Sequence, residues 1–598
     1  MAESIYETFQ NTVAARADKV AAQYKVGGAW RDVTWREIDE TSRAVAAALL
    51  EFGIQAKQHV AIMSNTRLEW IFADLGILAS GAATVPIYQS NLAHECEYIL
   101  NDSDSVAIFV EDDAQLSKLR EIREQIPNVQ KVIAMTGDVD EAGGWEVSWE
   151  TLLATGKALL EANPDALAER TSQLSRDDIL TIIYTSGTTG KPKGAVLTHD
   201  CMLYETEAFT KIDIISPDDV EYLFLPMAHV FAKVLEIMWF SLGHTMAFWE
   251  GDQTKIVDNL AEVRPTFMCS VPRIFEKVHA KVIADVSSTP GIKGTLGRWA
   301  LKKAEEAGRV ELAGGQPGGI GWSLAQKLVF SKIEEKLTAR FGGRLKYFVS
   351  GGAPLGRDIA FFFKYSGIEI CEGYGLTETS AATCVNRPGS SRIGTVGPVI
   401  PGSEVKIAED GEILIRGRGV MRGYWKKPEA TAEVISEEGW FHSGDIGVID
   451  PDGALRITDR KKDIIVTAGG KNVAPQNIEN QIKSKSPLIS QVVIHGDKRK
   501  FLSAVITIDP DNVQSWAAEK GIANGEVKDL TQRPEVRKAV EDVINEVNTG
   551  LASYETLKKF KILDHDFAIG DLLTPTMKVK RKQVSERYKE VFDAFYGA

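Results

Sequence analysis

Cysteine is scarce in this 598-residue sequence: Cys96, Cys201, Cys269, Cys371 and Cys384 are scattered and odd in number. No two of them have metal-ligand spacing, and no disulfide framework can be read from them. The expectation is free, mostly buried thiols in a reducing compartment. Positive charge is short as well. Lys and Arg number 69 against 83 Asp and Glu, a net charge of −14, which argues against nucleic acid as a main partner, because duplex binding runs on phosphate neutralisation. Long hydrophobic runs are missing too. Leu75 to His94 carries no charge, but Gly76, Gly81, Pro86, Gln89 and Asn91 interrupt it, whereas a membrane span needs about 20 mainly apolar residues. The stretch reads as a buried helix followed by a strand. The opening MAESIYETFQ has no apolar core and is not a secretory signal. These absences together predict a cytoplasmic protein with no transmembrane span and at most peripheral membrane contact.

What is present is an ordinary globular composition, 44% hydrophobic and 25% charged, in a chain too long for one hydrophobic core. Thr34 and Glu37 in TWREIDETSRAVAAALLEFG have the spacing of a capping box ahead of an amphipathic helix. HVAIM then reads as a strand, RLEWIFADLGILAS as a helix and TVPIY as a strand; SVAIFV, KVIAM, YLFLPM, HTMAFW, TFMCSV, LKYFVS and IEICEG continue the series. Strands alternating with helices predict an α/β fold with two helix-covered, largely parallel sheets. From about Gly394 the texture turns β-rich, with hairpin turns at Asp410-Gly411 and Asp452-Gly453. A small mixed module follows. The expected division is a large domain over 1–459, with a β-rich subdomain over about 394–459, a hinge at 460–462, and a small mobile α+β domain over 463–598. Residues 290–342 read as a charged helical insertion around a loop-like AGGQPGGIGW.

The stretch YTSGTTGKPKG, Tyr184 to Gly194, concentrates glycine, hydroxyl residues and lysine. Backbone N–H groups in such a turn can converge on phosphate oxygens, and Thr185, Ser186, Thr188 and Thr189 add hydroxyl donors. It is not the nucleotide-hydrolase loop, which needs four residues between its first glycine and a Gly-Lys-Ser/Thr. Here only Thr188 and Thr189 separate Gly187 from Gly190, and Pro192 follows Lys191.

Further stretches follow in order: LPMAHVF (225–231), SGGAPL (350–355), EGYGLTE (372–378), HSGDIG (442–447), DRKKDIIVTAGGKNVAP (459–475) and a late lysine in LTPTMK. This ordered set resembles the acyl-adenylate-forming superfamily of acyl-CoA synthetases, peptide-synthetase adenylation domains and beetle luciferases. The helical insertion and the ending LTPTMKVKRK most resemble bacterial AMP-forming long-chain fatty acyl-CoA synthetases.

The resemblance implies a role for each motif. Thr185, Ser186, Gly187, Thr188, Thr189, Gly190 and Lys191 would hold the β- and γ-phosphates of ATP; the competing reading is a plain polar loop. Gly352, Ala353 and Pro354 would face Tyr374 across the adenine, with Glu372, Gly373 and Gly375 shaping the same slot. Thr377 would take the α-phosphate and Glu378 the Mg2+ ion, consistent with a hard cation held mainly by substrate phosphates. Asp445, an acceptor-only carboxylate, suits the ribose hydroxyls, and Arg460 would support it. His229, in apolar company, is assigned positioning at the wall between carboxylate site and acyl tunnel; the alternative is a satisfied core histidine. Certain long-chain relatives carry a tryptophan gate four positions later, where this sequence has Lys233. Lys578 would be the adenylation lysine, with Lys580 the competitor if the register is off by two.

The implied reaction joins a fatty acid, ATP and CoA through an acyl-AMP intermediate, with the C-terminal domain rotating between half-reactions. Lys462 matches the hinge, and Gly469, Gly470 and Lys471 would then approach CoA. The rival readings are a fatty acyl-AMP ligase that loads a carrier protein and a fatty-acid-binding or uptake protein that keeps the fold without the chemistry. A luciferase-like oxidase is a third rival, but nothing in the sequence marks an oxygen-handling pocket.

Overall fold

A computed structural model describes residues 2–185, 191–522, 525–574 and 577–597, the side chain of Ser287 excepted. Two eight-stranded sheets dominate. One runs in the order Gly423–Tyr424, Lys193–Thr198, Ile179–Thr185, Ala83–Ile87, His59–Met63, Ser105–Val110, Lys131–Ala134, Glu146–Ser148. Its six strands from Ile179–Thr185 onward pair in parallel, and antiparallel pairing is confined to the Lys193–Thr198 end. The other runs Cys384–Val385, Ile370–Tyr374, Tyr347–Ser350, Phe267–Ser270, Val220–Leu223, Thr245–Phe248, Val20–Val26, Ala29–Thr34, parallel except at its two edges.

Alternation along each strand explains the layering, because successive side chains point to opposite faces. In His59–Met63, Val60 and Ile62 join the core shared with the second sheet, while Ala61 and Met63 face the opposite cluster. The shared core holds the helices Trp35–Glu51, Leu68–Ala79 and Val230–Leu242. The first of these begins as its sequence predicts: Thr34 Oγ1 accepts from the Glu37 N–H at 3.2 Å, and Glu37 accepts from the Thr34 N–H at 2.7 Å. The insertion covers the outer face of the second sheet with the helices Pro272–Ser288, Gly291–Leu312 and Ser331–Arg340.

Three local expectations change. The strand read in YLFLPM is only Val220–Leu223, and the AGGQPGGIGW loop ends in a helix that starts at Ile320. The hairpin of Val20–Val26 and Ala29–Thr34 is an addition. Val26 pairs with Ala29 across Gly27-Gly28, both at positive φ, the two-residue turn that suits a twisted hairpin.

Beyond these sheets, Ser403–Ile407, Glu412–Gly417, Phe441–Ile449 and Leu455–Arg460 form an antiparallel sheet. Its turns place Gly411 at φ 86° and Gly453 at φ 85°, as the Asp-Gly pairs predict. The C-terminal part has its own core around Ile489–His495, Leu502–Ile508 and Leu557–Ile562, flanked by Pro475–Lys485 and Pro534–Asn548. It docks on the helix Pro272–Ser288 through charge. Arg273 donates to Ser490 Oγ at 3.1 Å and pairs with Asp509 at 3.5 Å, and Lys483 reaches Glu276 at 3.5 Å. All five cysteines are free and buried. No helix among the described residues is long and apolar enough to cross a membrane.

Candidate active site

The glycine-rich stretch sits where the antiparallel strands Ile179–Thr185 and Lys193–Thr198 meet, with Thr185 opposite Lys193. Thr185 Oγ1 donates to the Lys193 carbonyl at 3.4 Å. Ser186, Gly187, Thr188, Thr189 and Gly190 lie outside the described residues. The two flanking lysines each stand over an aromatic ring, Lys191 4.8 Å from the Tyr98 centroid and Lys193 4.9 Å from that of Tyr424. Both contacts lie within cation–π range.

The strands Tyr347–Ser350 and Ile370–Tyr374 are parallel neighbours, so the SGGAPL and EGYGLTE segments emerge side by side. Gly352 has φ 79°, and Gly352, Ala353 and Pro354 are exposed to the cleft. Glu372 has a structural use: it accepts from the Leu355 N–H at 3.2 Å and ties down the end of that turn. Burial pushes its pKa up to about 7, against the pull of that N–H. Gly373 pairs with Val385. Gly375 is sterically required, because a Cβ there would lie 1.4 Å from the Ala381 carbonyl oxygen. The turn behind it places Ser380 at φ 61° and Ala381 at φ 89°, conformations that cost energy for residues other than glycine.

Asp445 is held from two sides. The Tyr374 hydroxyl donates to Oδ2 at 2.7 Å, and Arg460 Nε donates to Oδ1 at 3.2 Å. Asp445 and Arg460 are cross-strand partners in the sheet, so the pairing is built by register. Asp445 is only 5% exposed. Burial raises its pKa, opposed chiefly by the Arg460 guanidinium and then by the Tyr374 hydroxyl. Tyr374 thus contributes a hydroxyl as well as a ring face.

Glu378 follows Thr377 in a short 3-10 turn, Thr377–Thr379. Its Oε1 accepts from the Tyr424 hydroxyl at 2.8 Å, and its carbonyl accepts from the Met421 N–H. Lys578 arrives from the C-terminal part. Its carbonyl accepts from the Thr574 N–H at 2.8 Å, and Met577 before it has φ 59°. The Lys578 side chain is accessible, yet protein surrounds it. Desolvation, then the Arg460 guanidinium, push its pKa down to about 8, while Asp445 and Glu378 pull upward. His229 lies within the same field. Burial and then the Lys578 charge push its pKa down to about 3, so it is neutral at physiological pH. His229 also caps the helix Val230–Leu242, with Nδ1 accepting from the Phe231 N–H at 3.1 Å. That leaves it no proton to give at this atom, in keeping with positioning.

Tyr374, Glu378, Asp445, Arg460, Lys578 and His229 therefore share one cleft. Lys580 does not enter it: it precedes the helix Arg581–Arg587, and its N–H donates to the Leu572 carbonyl. Gly469, Gly470 and Lys471 are not brought there either. They form the exposed tip of the hairpin Ile465–Val466 and Asn472–Val473, with Gly470 at φ 71°. Lys462 is exposed in the turn after Leu455–Arg460, beside the Arg460 carbonyl, which accepts from Asp463 and Ile464.

Lys233 is not at a tunnel gate but in the core. It is 4% exposed and pairs with Asp74 at 2.5 Å and Glu236 at 2.9 Å. Burial, then Asp74, push Glu236 up to about 8, so at neutral pH it keeps its proton.

Motif reading misses Tyr424, because it reaches Glu378 from a two-residue edge strand, Gly423–Tyr424, 46 residues further along the chain. Among the described residues no group of three or more His, Cys, Asp and Glu could hold a metal ion. Glu378 offers one carboxylate, the donor set of an ion carried in on phosphates.

The AMP-binding enzyme family profile matches residues 9–425, and the AMP-binding enzyme C-terminal domain profile matches residues 462–598. The long-chain-fatty-acid–CoA ligase FadD15 of Mycobacterium bovis is 38% identical over 97% of this chain and 95% of its own. The peroxisomal long chain acyl-CoA synthetase 6 of Arabidopsis thaliana is 32% identical over 99% of this chain and 86% of its own. Among solved structures, the adenylation domain of a carboxylate reductase from Mycobacterium chelonae superposes with a TM-score of 0.76 at 22% identity, covering all of this chain and 91% of that one. A fatty acyl CoA synthetase of Mycobacterium tuberculosis gives 0.60 at 22% identity, over 98% and 99%. With the motifs in order, six of their side chains in one cleft and both profiles matched, the chain belongs to the AMP-binding enzyme family.

Proposed function

We infer that the protein is an AMP-forming long-chain fatty acid–CoA ligase working in the cytoplasm. The observation that carries the reading is the convergence of Lys578, from the last thirty residues, on Asp445, Glu378 and His229 in the large part of the chain. The acid class follows the long-chain names of relatives that match nearly the full length.

In the first half-reaction a carboxylate oxygen of the fatty acid attacks the α-phosphorus of ATP. The bond to the β-phosphate oxygen breaks, and pyrophosphate leaves. No protein nucleophile is needed; the site supplies alignment and charge stabilisation. Thr185 and Lys191, with the glycine-rich loop, hold the departing phosphates. Gly352–Pro354 and Tyr374 take the adenine, while Asp445, steadied by Arg460, accepts from the ribose hydroxyls. Thr377 and Lys578 face the α-phosphate, where donors aimed at developing charge contribute most. Glu378, oriented by Tyr424, would hold Mg2+, which when bound neutralises phosphate charge. His229 shapes the carboxylate end of the acyl site.

In the second half-reaction the CoA sulfur attacks the acyl carbonyl carbon, a thioester forms, the carbon–oxygen bond to AMP breaks, and the thiol proton is lost to solvent. We assign the structure to the adenylating arrangement, with Lys578 in place. Rotation of 463–598 about Lys462 would withdraw Lys578 and bring Gly469, Gly470 and Lys471 to the acyl-AMP.

The test is a panel of acids of increasing chain length, following pyrophosphate, acyl-AMP and acyl-CoA separately with and without CoA. Each buried methylene is worth about 0.8 kcal/mol, so affinity should climb from medium to long chains and then level off. A peak at acetate or an aromatic acid would overturn the long-chain reading. Acyl-AMP accumulation with no CoA consumption would favour a carrier-loading ligase.

A further inference from the structure

Next to the glycine-rich stretch stands a carboxylate that none of the motifs contains. Asp102 is the last residue of the helix Ala93–Asp102, where its charge opposes the negative end of the helix dipole. Its side chain is only 14% exposed. A carboxylate in that place needs donors, and two different segments of the candidate site supply them.

The first segment is the glycine-rich stretch itself. Tyr184 pairs across the strands with Gly194, and its ring lies so close that a Cβ on Gly194 would come within 3.1 Å of it. Burial raises the Tyr184 pKa, and Asp102 raises it further, so the phenol keeps its proton and donates to Asp102 Oδ2 at 2.8 Å. One helical turn before Asp102, the Tyr98 hydroxyl donates to the Pro192 carbonyl at 3.0 Å. Lys191 Nζ stands over the same Tyr98 ring. Tyr184 and Pro192, which bracket the stretch, are therefore both fastened to the last turn of one helix.

The second segment follows the strand Gly423–Tyr424. Lys427 Nζ reaches Asp102 Oδ1 at 3.0 Å, and Trp425 Nε1 donates to the Asp102 carbonyl at 3.0 Å. The Trp425 N–H donates in turn to the Gly194 carbonyl at 2.8 Å. These contacts adjoin Tyr424, whose hydroxyl reaches Glu378 and whose ring carries Lys193. Asp102 is thus the partner shared by the glycine-rich stretch and the segment that orients Glu378.

We propose that Asp102 is a positioning residue for the β- and γ-phosphates of ATP, acting through Tyr184 on the glycine-rich stretch and through Lys427 on the segment that carries Tyr424. Both its oxygens are taken by protein groups, so it works through them and not on the nucleotide. Donors aimed at phosphate charge contribute most when they are held in place beforehand, and one carboxylate gripping two walls of the site supplies that constraint. The proposal rests on the ATP-dependent reading of the site.

The experiment measures binding of ATP and of AMP to the full chain by calorimetry, alongside the two half-reactions. AMP lacks the β- and γ-phosphates and serves as the reference. Asp102→Ala leaves the Tyr184 hydroxyl and the Lys427 ammonium without their acceptor and should weaken ATP about tenfold. It should slow pyrophosphate release from ATP and fatty acid, with AMP binding and the conversion of supplied acyl-AMP and CoA at wild-type values. Tyr184→Phe should weaken ATP in the same direction, and adding it to Asp102→Ala should cost little more, since one residue acts through the other. Lys426→Ala, which breaks only the exposed neighbouring pair to Asp104, should change neither nucleotide. Equal weakening of ATP and AMP by Asp102→Ala, or equal loss in both half-reactions, would mark a purely structural carboxylate and overturn the proposal. So would wild-type ATP affinity in Tyr184→Phe, a result within reach even where Asp102→Ala does not fold. A wild-type protein that releases no pyrophosphate with any fatty acid would overturn the ligase reading, while the contrast between ATP and AMP still decides the role of Asp102.

Discussion

Arg273 is the clearest place to test whether the arrangement of the two parts matters. In Arg273→Ala the C-terminal part loses a guanidinium hydrogen bond to Ser490 Oγ at 3.1 Å and an ion pair to Asp509 at 3.5 Å. Asp509 keeps other partners, since it caps the helix Pro510–Glu519 by accepting from the Asp511 and Asn512 N–H groups. Glu276 keeps Lys483 at 3.5 Å. Across the contact the loss is therefore one charge-assisted hydrogen bond and one long pair, with side chains 19% and 14% exposed; within its own helix Arg273 also gives up Glu276 at 3.3 Å. Exposed pairs are worth up to about 1 kcal/mol and hydrogen bonds to charged groups about 1.5–3 kcal/mol. A value near 1.5 kcal/mol moves the docking equilibrium about tenfold. Acyl-AMP formation should fall, while conversion of supplied acyl-AMP and CoA to acyl-CoA should hold or rise. A fluorescence-transfer pair spanning residues 460–462 would report the shift directly, and because all five native cysteines are buried, introduced surface cysteines can be labelled selectively. If both half-reactions drop by the same factor, or the transfer distribution does not move, the contact does not hold the adenylating arrangement.

Lys578, with its pKa lowered to about 8, is charged below that pH and neutral above it. Single-turnover acyl-AMP formation should therefore be full at lower pH and decline about tenfold per unit above 8, while thioester formation from acyl-AMP lacks this limb; Lys578→Arg should abolish the decline, and a profile unchanged by that substitution would remove Lys578 from the charge-stabilising role. Lys233→Met leaves Asp74 and Glu236 buried without their cation. It should cost about 3–5 kcal/mol in urea unfolding, and a loss below about 1 kcal/mol would show that the cluster is not held by its charges.

Local structure was legible in the sequence wherever a signal spans a few residues. The Thr34–Glu37 box, the Asp410-Gly411 and Asp452-Gly453 turns and the buried strand HVAIM all form as read, because their determinants are capping hydrogen bonds, positive φ and side-chain alternation. Gly27-Gly28 carried an equally local hairpin signal. The motifs also named most residues of the candidate site, since glycines such as Gly375 are demanded by close backbone approach at one position.

What the sequence by itself determined is thus the series of strands and helices, the special turns and most of the side chains that line the candidate cleft. Tertiary structure alone decided which groups meet. Tyr424 orients Glu378 from another sheet edge, Lys578 crosses from the C-terminal core to Asp445, and Lys233 turns inward to Asp74 across 159 residues. Hydrogen-bond spacing along a helix or strand repeats over a few residues, whereas a side chain's partner across the core depends on how whole layers pack. No short window of the chain contains that information.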